Sequence, residues 1–368
     1  MNATTHLHHD RQVATWLLFC AAVIFGMILL GGVTRLTNSG LSMVEWKPLV
    51  GVIPPLSQEA WMETFEKYKQ FPEYQKVNRG MSLDAFKVIF MYEYLHRVLG
   101  RLIGVIFFFP MVYFWIKGKL RPGLPPKLVV LFFLGGLQGL LGWYMVKSGL
   151  VSNPRVSQYR LTAHLGVAVL IYAYMLWLSL ELLLVRREHA IGSRLTRAGP
   201  LGRYALLLVG LVYFMILTGG LVAGTRAGLA YPTWPLMGDS FVPPGLYSMT
   251  PAWLSVFEDV TTIQFNHRMF AYALVVLIGV FIVRVMRSDH SRSASVAIAL
   301  LGAATALQVM LGISTLLLQV PVVVAAAHQG GAVLLLSTSI YCAHILCRQT
   351  GEERERAPDG ALPTRTLA

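Results

Sequence analysis

The chain has 368 residues, 55% hydrophobic and only 13% charged, with a formal net charge of +13. That balance excludes an ordinary soluble domain and points to a polytopic membrane protein whose solvent is lipid. The positive charge does not point to nucleic acid: the basic residues lie mostly in loops flanking apolar stretches, where membrane topology already accounts for them.

Apolar stretches of about 20 residues, enough to cross ~30 Å of hydrocarbon, occupy residues 13–34, 88–116, 128–147, 159–185, 204–225, 266–286, 295–318 and 321–347. They predict an all-α integral membrane protein of eight transmembrane helices. "HLHH" (6–9) before the first span reads as a disordered tail. That span has no small-residue cleavage site, so it is a retained helix rather than a signal peptide. The long outer loop 35–87 carries Trp61, Phe65 and Tyr68 at helical spacing, which predicts a short helix on the interface or capping the bundle. The basic loops "KGKLRPGLPPK" (117–127), "RREHAIGSRLTRAGPLGR" (186–203) and "RVMRSDHSR" (284–292) place that side, and both termini, in the cytoplasm. Cys20, Cys342 and Cys347 fall in spans or at the inner end of the last, so the outer loops have no thiols to pair. Residues 348–368 read as a disordered cytoplasmic tail.

Residues 1–187 and 200–347 resemble each other, the mark of a duplicated unit. "GGVTR" (31–35) matches "VAGTR" (222–226), "EYLHRVLG" (93–100) matches "QFNHRMFA" (264–271), "LQGLLG" (137–142) matches "LQVMLG" (307–312), and "TAHLG" (162–166) matches "AAHQG" (326–330). The predicted organisation is an N-terminal four-helix half (1–187), a cytoplasmic linker (188–203) and a C-terminal four-helix half (204–347). An even number of spans per half implies two tandem four-helix bundles related by a pseudo-twofold axis along the membrane normal.

Of ten histidines, four recur at matched positions inside spans: His96 and His164 in the first half, His267 and His328 in the second. A lone membrane histidine is as readily a helix-packing residue. Two facing helices that each present an imidazole at similar depth suit axial ligation of a heme iron in a four-helix bundle. Gly100, Gly166, Gly330 and Gly331, with Ala271 matching Gly100, could let a porphyrin approach the backbone. Arg35, Arg97, Arg226 and Arg268 are matched rim arginines, for which heme propionates are natural partners. Zinc or a di-iron pair would ask for more ligands per half.

The halves differ at Glu93, one turn before His96, where the second half has Gln264 before His267. An ionisable carboxyl suits a proton acceptor or the stabiliser of a developing cation; the plainer alternative is an ion pair with Arg97. The asymmetry makes the first half the reactive site and the second a permanent cofactor or electron-relay site.

From "GGVTRLTNSGLSMVEWKP" to "AAAHQGG", with paired "ExxHR" and "QxxHR", the chain resembles the heme A synthase family. The resemblance implies an eight-helix oxidoreductase that converts heme O to heme A by successive hydroxylations of the C8 methyl to a formyl group. It implies that His96 and His164 hold heme O, that His267 and His328 hold a heme B cofactor, and that Glu93 is catalytic. The cysteine pair that some members carry in the first outer loop is absent from "LTNSGLSMVEW", so no thiol role in electron delivery carries over. Heme O, its synthase, cytochrome oxidase assembly factors, an electron-transfer partner, membrane lipid and a second copy of the chain are the candidate partners, in a bacterial inner membrane. A bis-histidine iron is six-coordinate. Either a first-half histidine dissociates, or electrons leave through the second heme while Glu93 assists proton removal. The competing classes are a non-enzymatic di-heme electron carrier and a heme transporter or chaperone.

Overall fold

The structure, a computed structural model, describes residues 3–45, 53–150, 156–184 and 198–356. Its helices are α1 (Ala3–Leu36), α2 (Gln58–Lys69), α3 (Pro72–Lys76), α4 (Leu83–Ile116), α5 (Leu124–Gly149), α6 (Gln158–Leu184), α7 (Pro200–Thr225), α8 (Ser255–Glu258), α9 (Val260–Met286), α10 (Arg292–Leu317) and α11 (Val322–Arg356). Eight of them, α1, α4 to α7 and α9 to α11, are long and apolar enough to span a membrane. Several begin where a side-chain oxygen takes an otherwise orphaned N–H: Ser57 accepts from Ala60, Ser82 from Ala85, Asp259 from Thr262 and Ser291 from Ala294. Gly123, at φ 81°, turns the chain into the Pro-containing first turn of α5.

In the first half, α1 packs on α6 and α4, and α5 closes the ring between α4 and α6. In the second half, α7 packs on α11 and α9, and α10 closes the ring between α9 and α11. The halves meet through α6 with α7, α1 with α11, and α6 with α11. Exchanging the halves leaves this pattern of neighbours unchanged. The seam carries polar bonds that lipid cannot replace: Gln329 Nε2 donates to the Ile28 carbonyl (2.7 Å), Tyr172 and Ser337 share a bond of 2.8 Å, and His344 Nε2 lies 3.3 Å from Glu181 Oε2.

The packed core lies toward the end of the bundle away from the long loops. It includes Leu17, Phe107, Leu128, Leu178, Leu208, Phe281, Leu301 and Leu336, all buried. Toward the loop end burial falls off, and a β-carbon placed on Gly135, Gly136 or Gly139 of α5 would meet nothing within 4 Å. Each half is therefore filled at one end and open at the other.

The expected eight spans are all present, with two differences at the ends. "HLHH" is not a disordered tail: residues 6–9 continue α1 as helix, His8 bonds Gln12 one turn on (3.0 Å), and Asp10 is buried. Likewise α11 runs on to Arg356, because "EERER" is a run of strong helix formers with nothing to stop it; residues 357–368 of the expected tail lie outside the described residues, as does most of the 186–203 loop. The outer helix expected at 57–71 is α2, and it caps the bundle. Phe65 and Tyr68 are buried, packing with Trp61 and Tyr74 on Phe86, Ile89 and Phe90 of α4.

Candidate functional site

All four paired histidines sit on helices that run inward from the loop end. His164, His267 and His328 lie about two turns into α6, α9 and α11. His96 lies nearly two turns deeper into α4 because the outermost part of α4 is spent on the cap. In each half the two imidazoles are near enough for the charge of one to act on the other, His96 with His164 and His267 with His328. All four are half-buried.

The glycines beside them are not the ones the sequence suggested. Gly100 faces Met27, Gly166 faces Leu217 and Tyr213, Gly330 faces Leu29 and Phe25, and Gly331 faces Gln308 and Leu311, so these four seat helices against helices. The glycines that face imidazoles are Gly31 for His96, Gly142 for His164, Gly219 for His267 and Gly312 for His328. A β-carbon on Gly142 would stand 3.0 Å from His164 Cε1, and one on Gly312 would stand 2.9 Å from His328 Cε1. This pairing also re-registers the repeat: "MILLGG" (27–32) corresponds to "MILTGG" (215–220), with α7 running three residues further before its Thr-Arg.

The matched "LQxxLG" motifs have a second task. Gln138 donates from Nε2 to the His164 carbonyl at 2.9 Å, while its Oε1 is buried and unbonded; Gln308 holds the matched position, with Oε1 also buried and unbonded. Nδ1 of His164 and Nδ1 of His328 are likewise buried without a partner. Buried polar atoms without partners are costly, and they cluster where a bound group completes the site. Thr218 treats His267 differently. Its hydroxyl donates to the Met215 carbonyl (2.8 Å) and so has only lone pairs to offer Nδ1, 2.8 Å away. That fixes the proton on Nδ1 and leaves Nε2 as the nitrogen with a lone pair to offer. Leu30, at the matching place on α1, offers no such bond.

Glu93 is buried at the edge of the first site. Its Oε1 pairs with Arg97, while its Oε2 accepts from Ser42 Oγ (2.8 Å) and from the Met43 backbone N–H (2.7 Å). Arg97 also donates to the carbonyls of Met43 (2.8 Å) and Glu45 (3.3 Å), so the Glu93 and Arg97 pair pins the loop that follows α1. The second half repeats this with reversed polarity. Gln264 donates to the Tyr231 carbonyl (3.2 Å), and Arg268 donates to the carbonyls of Tyr231, Thr233 and Leu236. A carboxylate meets N–H groups in one half, and an amide meets a carbonyl in the other. Arg35 donates across the seam to the Ala223 carbonyl at the end of α7 (2.6 Å), and Arg226 donates to Asn38 (2.6 Å), so this matched pair laces the two halves together. The four rim arginines thus have protein partners at the loop end, around the open ends of both sites.

Among the described residues no three His, Cys, Asp or Glu side chains gather to hold an ion. Two imidazoles per half, beside glycine, unbonded polar atoms and open space, fit a metal that brings its remaining ligands with it, which a porphyrin does.

Fold and site together define a class: a multi-pass membrane protein of two four-helix halves, each setting two imidazoles toward one another at its open end. The description of a family model, COX15-CtaA, cytochrome oxidase assembly protein, matches residues 14–340. A Nitrosospira multiformis protein named Heme A synthase is 52% identical over 340 residues, covering 92% of this chain and 95% of that one. A Nitrosomonas eutropha protein of the same name is 49% identical over 94% of this chain and 95% of its own. The Bos taurus protein named Heme A synthase COX15 is 45% identical over 92% of this chain and 83% of its own. This chain belongs to the COX15-CtaA family of cytochrome oxidase assembly proteins.

Proposed function

We propose that the chain is an oxidoreductase that converts heme O to heme A, oxidising the C8 methyl to a formyl group by successive hydroxylations. On this reading residues 1–187 hold heme O between His96 and His164, and residues 204–347 hold heme B between His267 and His328, the halves being related by a pseudo-twofold along the membrane normal. The observation that carries it is the asymmetry within a shared frame. Among the described residues, the first half carries a carboxyl, Glu93, one turn before an imidazole where the second has Gln264, and the second carries a hydroxyl, Thr218, bonded to an imidazole where the first has Leu30. A locked ligand suits a resident cofactor, and an unlocked one suits a substrate that must enter and leave. The names of the relatives point the same way and favour a synthase over a non-enzymatic cytochrome.

Heme B supplies a one-electron redox centre when bound. The residues do the rest. His96 and His164 orient the substrate ring; Gly31 and Gly142 leave room for the imidazoles to turn. Oxidation of a C–H bond releases a proton, and Glu93 is the carboxylate placed to take it, exchanging its bond to Ser42 or Arg97 as it does so. Arg35, Arg97, Arg226 and Arg268 line the rim where propionates would lie. In a bacterial inner membrane the positive-inside pattern supports cytoplasmic termini and outward-facing sites, where oxidase assembly factors and the heme O synthase would meet the protein.

The test is to purify the full-length chain from cells also producing heme O, then extract and mass-analyse its hemes, beside a Glu93→Gln variant. Heme A in the native protein, with heme O or a hydroxylated intermediate retained in the variant, is the expected result. Heme B alone, unchanged by heme O supply, would replace this reading with the electron-carrier one.

A further inference from the structure

The matched "LQxxLG" glutamines differ in what they do to the histidine beside them. The His164 carbonyl only accepts, so the atom that Gln138 presents to it at 2.9 Å is the amide nitrogen. That NH2 group has a second hydrogen, and 3.4 Å from the same nitrogen stands Nε2 of the His164 ring. One amide therefore holds both the backbone and the imidazole of His164. Since the amide is the donor, Nε2 is the nitrogen with the lone pair, the same lone pair that iron would take.

In the second half the frame is the same and the bond is missing. The rings are seated alike: a β-carbon on Gly142 would stand 3.7 Å from His164 Nε2, and one on Gly312 would stand 3.6 Å from His328 Nε2. Gln308 occupies the place of Gln138, yet among the described residues its side chain makes no hydrogen bond to His328. The cause lies on α11, three residues after the histidine. Gly331 leaves a place there for the Gln308 amide, and a β-carbon on Gly331 would overlap its Oε1. The matched residue on α6 is Val167, and a side chain at that position denies Gln138 the same place, so the amide turns to the imidazole.

We propose that His164 is the exchangeable ligand of the first half, and that Gln138 is the positioning residue that makes it so by competing with iron for Nε2. The inference rests on the reading that His96 and His164 hold heme O. One bond replaces another: when the bond from iron to Nε2 breaks, the freed lone pair accepts the Gln138 N–H, and no electron or proton is transferred. Gly142 leaves the room in which the ring turns. At 3.4 Å the amide bond is long, so it is given up as readily as it is made. In the second half Thr218 acts on Nδ1 of His267, and the Gln308 amide lies against Gly331, so neither Nε2 has such a competitor.

Carbon monoxide tests this, because it binds a six-coordinate ferrous heme only after an axial ligand leaves. The full-length protein, purified from cells that make no heme O, is reduced under nitrogen and mixed with carbon monoxide before and after heme O is added. A binding phase that depends on heme O is expected. Loss of one hydrogen bond to the released imidazole should slow that phase by about 2- to 10-fold in Gln138→Leu, and in the same direction in Val167→Gly, with heme O content unchanged. A heme O-dependent rate that Gln138→Leu leaves unmoved or raises overturns the role of Gln138. Bound heme O that takes up no carbon monoxide overturns the exchange itself. Native protein that retains no heme O overturns the reading on which both rest. Should Gln138→Leu fail to fold or to hold heme O, Val167→Gly, which keeps the amide, carries the same comparison.

Discussion

Thr218 shows how one side chain separates two otherwise matched sites. Its hydroxyl spends its only proton on the Met215 carbonyl and receives that of His267 Nδ1, and Leu30 cannot do the same for His96. Partners of this kind typically change metal affinity by about 10- to 100-fold. Thr218→Val is therefore expected to weaken heme retention in the second half by roughly that factor, read from the absorbance of purified protein under dilution, while the first half is unaffected. Gly312 offers a steric counterpart. A β-carbon there would stand 2.9 Å from the His328 ring, so Gly312→Val is expected to displace that imidazole and abolish its heme signal without unfolding α10, as circular dichroism would show. The four histidines, Glu93 and the rim arginines were legible in the sequence because the repeat marks them. The glycines that face the histidines were not, since which residue of a helix turns toward a ligand depends on how neighbouring helices pack about it. The clue was present in "MILLGG" and "MILTGG", which register the halves at the diglycines rather than at the Thr-Arg that follows.

At the scale of elements, the spans were legible because lipid imposes their length and apolarity, and α2 because Trp61, Phe65 and Tyr68 recur at helical spacing. The ends of α1 and α11 were not, because polar residues that look solvated can continue a helix already nucleated in the membrane. The cap is held by aromatic packing: Tyr68 and Phe65 stack on Phe86 at 5.0 and 4.9 Å. Phe86→Ala is expected to cost about 3 to 5 kcal/mol locally. Because Glu93 also anchors the loop before the cap, the loss should appear as faster proteolysis of residues 53–82 and slower heme O conversion, with second-half heme retained. Equal loss of both hemes would mean the cap stabilises the whole bundle rather than the first site. The polarity reversal between Glu93 facing Met43 N–H and Gln264 facing the Tyr231 carbonyl was not readable from sequence, because it depends on backbone orientation in the two loops, which their shared Trp-Pro and double-proline pattern does not set.

For the whole molecule, duplication provides two equivalent frames and the seam makes them one body. Each half is packed at one end and open at the other, and the open ends carry all four histidines, so two flat ligands would lie side by side rather than stacked across the membrane. Arg35 and Arg226 lace the halves at that level, and Gln329, next to His328, bonds the backbone of α1 three residues before Gly31. The sites are thus joined by direct contacts, while the proposed reading divides their chemistry.

That division is tested most directly by counting the hemes of two variants purified from cells producing heme O, His164→Ala and His328→Ala. If the first half holds substrate and the second a resident cofactor, His164→Ala keeps heme B and contains neither heme O nor heme A. His328→Ala loses heme B and retains heme O unconverted. Loss of the same heme from both variants would contradict the account, because the two halves would then not be separate sites with separate ligands.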